Sequence, residues 1–403
     1  MVNVAILGFG TVGSGVAELL EKNGEQIDKK VDNLIRLKYI LDVRDFPDSP
    51  FRDKFVKDFA VIEGDPEVNV VVETIGGARI AKEFTERALK AGKSVVTSNK
   101  ELVAQHGYDL LQLAKQSGVS YLFEASVGGG IPIIRPLSQC LAANELTEIC
   151  GILNGTTNYI LTRMIRAGLS FEAALKEAQE NGYAEQDPTA DVEGADACRK
   201  ICILAALAFG RHIYPEQVPT EGITGVSLAD VAYAASRGKK IKLLGRAIRQ
   251  EDGRVCAYVA PHLVDEENPL SGVEDVFNAI MVKGDAIGDV MFYGRGAGKM
   301  PTASAVVADV IDAAKHIKSK KYLDWAQGGE DVTVTPDAME SAWYVRVNAA
   351  PGEVKKALGG GELLGRSGAP TGESAFLTGK MTRGMLEEKL AGLQRCSTFR
   401  ILE

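Results

Sequence analysis

The amino end of the chain, VNVAILGFGTVGSGVAELLEKNG, constrains the fold more than any other stretch. An apolar run over residues 2–7 leads directly into Gly8, Gly10 and Gly13, spaced G-x-G-x-x-G, and then into a helical pattern that ends near residues 23–24. In a strand–turn–helix setting the three glycines allow a tight turn, close approach of backbone to a pyrophosphate, and close contact between helix and strand. The helix N-terminus then faces the phosphates, where its N–H groups and dipole favour negative charge. The motif alone is weak, but in this setting it predicts a dinucleotide-binding α/β domain.

The next elements extend that reading. A strand over 37–41 ends in Asp42, Val43, Arg44 and Asp45. An acid at this strand end suits the ribose hydroxyls of NAD, and an arginine suits the 2′-phosphate of NADP. Arg44 tips the expectation to NADP, with NAD as the other option. The acid lies further from the glycines than usual, which calls for a long first crossover or an extra loop about 24–34. Strands over 68–73, 93–98 and 119–123 alternate with helices over 79–91 and 101–116. That alternation predicts a doubly wound parallel sheet with ligands at the carboxyl ends of its strands. Lys100 follows such an end and is placed to face a nicotinamide. Glu124 opens the glycine-rich stretch 124–131, which suits either a cation held by carbonyl oxygens or a hinge.

From residue 132 the pattern changes. A helix over 133–143, a strand over 146–153 and helices over 158–167, 171–181 and 191–209 are expected. Within residues 182–200, five carboxylates (Glu185, Asp187, Asp191, Glu193, Asp196) fall in twelve positions and precede Arg199, Lys200 and an apolar run. On a helix, Asp196 and Lys200 share a face at i and i+4. At the edge of a buried region, desolvation and a nearby anion pull a lysine's pKa in opposite directions, which suits proton transfer. An ordinary salt bridge on a capped helix is the plain alternative. Strand-like runs over 240–248, 255–263, 276–282 and 290–294 predict a mostly antiparallel sheet with helices on one side. A glycine-rich entry ending at Gly298 leads into a helix about 300–317 that returns to the cofactor domain to contact phosphate or nicotinamide. Residues 318–330 read as a polar linker, and 342–403 as a small α+β unit.

The expected division is therefore 1–131 with the returning helix, 132–299, and 342–403. A chain of 403 residues accommodates that number of domains. Its formal net charge of −8 argues against a nucleic-acid or membrane-surface binder. No apolar run approaches membrane-spanning length. The six cysteines are scattered without ligand or framework spacing, which fits reduced thiols in a cytoplasmic protein.

Six segments, GFGTVG, SNKELVA, EASVGGGIPII, LNGTTNYIL, GYAEQDPTADVEGADACRK and GRGAGKMPTASAVV, closely resemble the homoserine dehydrogenase family in order and spacing over roughly residues 1–320. The resemblance implies NAD(P)-dependent interconversion of L-aspartate 4-semialdehyde and L-homoserine, on the route to threonine, methionine and isoleucine. It also implies a homodimer built through the second domain. Carried over by residue, Gly8, Phe9, Gly10, Thr11, Val12 and Gly13 hold the pyrophosphate. Ser98 and Lys100 lie beside the nicotinamide, Gly155 and Thr156 line the substrate pocket, and Glu185 binds the amino group with Asp191 in support. Asp196 and Lys200 form the polar pair at the reacting oxygen. Glu124, Val127, Gly129 and Ile131 resemble a loop for a monovalent cation such as Na+, three of them through backbone oxygens. The four histidines lie outside these motifs, so Lys200, Lys100 or both are the expected proton donors. The C-terminal unit has the element order of an ACT domain but no clear effector-site sequence. A different NAD(P)-dependent amino-acid dehydrogenase would share the glycines without the acidic stretch. A non-catalytic dinucleotide sensor would leave the lysine–carboxylate pair without a use.

Overall fold

A computed structural model describes residues 1–31, 33–319 and 322–403. In chain order the first elements are β1 (Val2–Leu7), α1 (Thr11–Lys22), α2 (Gly24–Val31), β2 (Ile35–Leu41), β3 (Phe55–Val56), α3 (Phe59–Gly64), β4 (Val68–Glu73), α4 (Arg79–Lys90), β5 (Ser94–Thr97), α5 (Lys100–Gln116) and β6 (Tyr121–Leu122). Then come β7 (Leu146–Ile152), α6 (Gly155–Ala167), α7 (Phe171–Glu180), α8 (Thr189–Val192), α9 (Ala195–Phe209), α10 (Leu228–Ala235), β8 (Lys239–Arg249), β9 (Val255–Asp265), β10 (Phe277–Gly284), β11 (Gly288–Arg295) and α11 (Lys299–Lys315). The last are β12 (Trp343–Asn348), α12 (Pro351–Leu358), β13 (Glu362–Leu364), β14 (Glu373–Leu377), α13 (Arg383–Lys389) and β15 (Gln394–Ile401).

The chain forms two compact units. The first comprises Met1–Glu145, Cys202–Pro215 and Gly294–Gly329; the second holds Leu146–Ile201, Glu216–Tyr293 and Glu330–Glu403. None of the described helices is long and apolar enough to cross a membrane.

In the first unit the strand order is β3-β2-β1-β4-β5-β6, parallel throughout, as the sequence predicts. Helices cover both faces, so β1, β4 and β5 read as nearly unbroken apolar runs. The order reverses between β1 and β4, the switch point where such sheets bind ligands. α11 packs on α1, and Ala303, Val306 and Val310 share a core with Val16, Ala17 and Leu20. The expected loop at 24–34 is largely a helix, α2, whose Ile27 and Val31 are buried; Asp32 lies outside the described residues. The helix expected over 133–143 is shorter, covering residues 134–140 with π-type geometry over Pro136–Cys140. The N–H groups of Ile133, Ile134 and Arg135, at its amino end, go to the Glu124 carboxylate. The supposed linker is packed: Trp325 is buried and donates its indole N–H to His212 Nδ1 at 3.1 Å. Lys320 and Lys321 of that stretch lie outside the described residues.

In the second unit the sheet order is β11-β10-β7-β8-β9-β15-β12-β14-β13. From β10 to β13 in that order the strand pairs are antiparallel except β15 beside β9, which run parallel. The helix expected over 191–209 is broken: α8 ends, Gly194 takes φ +85°, and α9 starts at Ala195. A side chain there would be strained by that φ and would meet Thr220 at 2.9 Å. α6 begins three residues before the expected start because Asn154 caps it, accepting from Thr157 N at 2.9 Å. The C-terminal elements run βαββαβ with strand order β15-β12-β14-β13 around a core of Trp343, Val345, Val354, Phe376 and Leu386. The sequence predicts strand, helix, strand, helix and a closing strand here, without β13, and the sheet is continuous with that of the rest of the second unit.

Candidate active site

Each unit carries part of the set of residues expected at the site. In the first, the turn after β1 is closed by the glycines. A Cβ on Gly13 would lie 1.9 Å from Gly8 O, so no other residue fits there. A Cβ on Gly10 would meet nothing within 4 Å, and no side chain caps α1. Open space before uncapped helix N–H groups is the arrangement a pyrophosphate needs. Phe9 packs edge-on to Phe46 and Phe55, and Thr11 and Val12 form the first turn of α1.

Asp42, just past β2, does not extend freely into this space. Its Oδ2 accepts from Phe9 N at 2.7 Å and Arg44 Nη2 at 3.0 Å, and its Oδ1 accepts from Arg44 N and Nε. Hydrogen bonds from the Arg44 side chain are the main cause holding the Asp42 carboxyl down at about 2. Arg44 itself stays exposed and lies over the Phe46 ring. Lys57, which sequence reasoning did not single out, donates to Val43 O and Arg44 O and pairs with Asp45.

Ser98 and Lys100 flank Asn99 at the end of β5, and Lys100 is the first residue of α5. Asn99 caps α5 through Leu102 N at 3.0 Å. Beneath them Glu73 is fully buried, accepting from Ile75 N at 2.6 Å and Thr97 Oγ1 at 2.5 Å. Burial outweighs these bonds and pushes the Glu73 carboxyl up to about 7.

The loop 124–131 packs against the glycine-rich entry to α11: Gly130 N donates to Arg295 O at 3.0 Å, and Gly298 at φ +120° precedes α11. The Glu124 carboxylate is occupied by the three N–H groups named above. The carbonyl oxygens of buried Val127, Gly129 and Ile131 accept no hydrogen bond among the described residues. Buried carbonyls without a donor suit a hard monovalent cation.

In the second unit, Lys200 and Asp196 sit one turn apart on α9 and are 7% and 5% exposed. Lys200 Nζ donates to Asp196 Oδ2 and to Leu153 O, both at 2.8 Å. Asn154 Nδ2 bridges Asp191 Oδ1 at 2.7 Å and Asp196 Oδ2 at 2.9 Å. Burial raises the Asp191 pKa, with the Asp196 charge adding to the rise and the Asn154 bond opposing it. Gly155 opens α6, and Thr156 Oγ1 donates to Tyr183 O at 2.7 Å. The Glu185 carboxylate is exposed and makes no hydrogen bond or ion pair among the described residues.

Comparison with known proteins decides the family. Residues 8–124 match the homoserine dehydrogenase NAD-binding domain, and residues 132–311 match homoserine dehydrogenase. The chain belongs to the homoserine dehydrogenase family. It is 43% identical over 323 residues to homoserine dehydrogenase of Bacillus subtilis, covering 79% of this chain and 74% of that one. It is 42% identical over 357 residues to the enzyme of Neisseria gonorrhoeae, covering 86% and 82%. The crystal structure of a homoserine dehydrogenase from Thiobacillus denitrificans superposes with a TM-score of 0.90 at 34% identity, covering 100% of this chain and 98% of that one. A hyperthermophilic archaeal homoserine dehydrogenase in complex with NADPH superposes with a TM-score of 0.67 at 28% identity, covering 80% and 99%. This homoserine dehydrogenase is therefore an NAD(P)-dependent oxidoreductase with a small-molecule substrate.

Asn154 and Lys57 carried no role in the sequence reading. Asn154 had a local signal, since an Asn directly before a helix reads as a cap. Its second role, bridging two acids, depends on α8 and α9 folding back to it.

Proposed function

We propose that this homoserine dehydrogenase uses NADP, with Lys200 as proton donor to the carbonyl oxygen of L-aspartate 4-semialdehyde and Asp196 as its anchor. Bound nicotinamide supplies the hydride in reduction and accepts it from L-homoserine in oxidation. As the carbonyl carbon takes the hydride, its oxygen becomes an alkoxide and needs a proton. Lys200 gives that proton, and its charge stabilises the oxygen as negative charge develops. In oxidation the proton returns to it. Lys100 is the second candidate for the same transfer. The observation that carries the reading is the placement of Lys200 Nζ between Leu153 O and Asp196 Oδ2 in a buried site.

Glu185, whose exposed carboxylate makes no hydrogen bond or ion pair among the described residues, receives the substrate ammonium, and Asp191, Gly155 and Thr156 shape the pocket around it. Arg44, clamped in place by Asp42, takes the 2′-phosphate. Ser98 and Gly298 contribute to the cofactor site. Glu124, with the backbone carbonyls of Val127, Gly129 and Ile131, holds Na+. The enzyme works as a cytoplasmic homodimer. The edge strand β11, with exposed Met291 and Tyr293, supports an interface on the second unit, and cysteines that form no disulfide among the described residues support the compartment.

The test is L-homoserine-dependent formation of reduced nicotinamide, run with NADP and with NAD, each with and without threonine. Faster reduction of NADP supports the Arg44 assignment. Inhibition by threonine gives the ACT-like unit an effector role. Binding of a dinucleotide without homoserine-dependent reduction overturns the mechanism.

A further inference from the structure

Below the nicotinamide side of the first unit lies a closed ring of hydrogen bonds that the chemistry above does not use. Glu73 Oε1 accepts from Ile75 N at 2.6 Å, and Glu73 Oε2 accepts from the Thr97 hydroxyl at 2.5 Å. Thr97 Oγ1 accepts in turn from Asn99 N at 2.9 Å. Asn99 Nδ2 closes the ring by donating to Ile75 O at 3.1 Å and Gly77 O at 2.8 Å. The ring joins the turn after β4 to the turn after β5. It reaches the glycine turn as well, because Thr74 Oγ1 donates to Leu7 O and Gly8 O, both at 2.9 Å. Three strand ends at the sheet's switch point are thus held in one register by side chains.

We infer that Glu73 and Asn99 are positioning residues for the cofactor: they fix the turns carrying Thr74–Gly77 and Ser98–Lys100 against each other. Two features of the ring separate this from plain stabilisation. Glu73 is a fully buried carboxyl with no cation paired to it among the described residues. An unpaired carboxyl so placed is a costly way to hold a fold together. The ring's bonds also run mainly to the main chain of the turns at Ile75, Gly77 and Asn99. The elements they control are the turns themselves, at the carboxyl ends where a dinucleotide binds. Asn99 adds a direct link to chemistry, since it caps the helix whose first residue is Lys100.

The inference rests on the reading that these turns meet the nicotinamide, and its test keeps the two apart. Asn99→Asp keeps an oxygen to cap Leu102 N but loses both Nδ2 donors. Glu73→Ala opens the ring at its other side, and Glu73→Gln retains an acceptor for Ile75 N. NADPH affinity is read by equilibrium fluorescence titration, alongside kcat, KM and the melting temperature. Asn99→Asp and Glu73→Ala are expected to weaken NADPH binding roughly tenfold in folded enzyme, with Glu73→Gln recovering most of the loss. If Glu73→Ala does not fold, Asn99→Asp carries the test. Lower melting temperatures with NADPH affinity and kcat unchanged in Asn99→Asp overturn the inference. Lys100→Ala reports separately: normal turnover there removes the proton-transfer role of Lys100 and leaves the affinity prediction standing.

Discussion

Replacing Lys200 by Met separates catalysis from folding only if its partner is replaced too. Both members of the Lys200–Asp196 pair are nearly inaccessible, and their contact is 2.8 Å. Removing one ion of a buried pair leaves the other uncompensated, at a cost of about 3–5 kcal/mol. Against a total stability of about 5–15 kcal/mol, that loss alone brings a variant close to unfolding. Lys200→Met therefore lowers the melting temperature and, through the lost proton donor, turnover by about 10²–10⁴-fold. The double variant Asp196→Asn/Lys200→Met removes both charges while leaving an amide oxygen for Asn154 Nδ2. It is expected to regain most of the stability and none of the turnover. Thermal melts, NADPH titration and steady-state oxidation of L-homoserine on the three proteins decide it. Substantial turnover in the double variant refutes the role of Lys200. A double variant no more stable than Lys200→Met refutes the account of the pair as a buried ion pair.

Arg44→Ala is expected to reduce kcat/KM for NADP by roughly 10–100-fold, the range of a charge-assisted hydrogen bond of about 1.5–3 kcal/mol, and to leave NAD almost unaffected; an unchanged NADP/NAD ratio contradicts it. Glu73, raised by burial to about 7 from an ordinary 4.5, favours its protonated form in the folded state, so stability is lost as pH rises between those values. The full penalty is about 3 kcal/mol. Glu73→Gln should therefore gain in melting temperature over the parent as pH rises from 4.5 to 8, and a constant difference argues against that titration. Arg346 donates to Asp230, Glu373, Ser227 and Ser397, and Asp230 is fully buried. Arg346→Met is expected to destabilise the second unit by about 3–5 kcal/mol in a thermal melt, through the stranded Asp230. A loss under 1 kcal/mol shows that water reaches that carboxylate.

What was legible in the sequence was local or periodic. The glycine motif placed β1 and α1, and the apolar runs placed β4 and β5 within about a residue at each end. The spacing of Asp196 and Lys200 survived the break in their helix, because the break falls at Gly194, before both. That break was invisible to periodicity, since α8 and α9 continue one apolar pattern. Its cause is a positive φ beside Thr220, a contact set by the tertiary fold. α10, which the sequence reading left unassigned, has a capping box at Ser227 and Asp230, a usable sign of its start.

The C-terminal unit shows most clearly where local reasoning stops. Its βαββαβ order is set by short-range patterns and was readable except for β13, which is three residues long among glycines. Its attachment is set by one parallel pairing, Arg400 with His262 and Ile401 with Leu263, between residues far apart in sequence. No turn chemistry or alternation marks such a register. The pairing makes the unit part of the sheet that runs from β15 through β9 and β8 to β7. β7 ends at Ile152, directly before Leu153, whose carbonyl holds Lys200. A ladder of main-chain hydrogen bonds thus joins the C-terminal unit to the lysine's anchor, so displacing β15 from β9 acts on the strands that position Leu153.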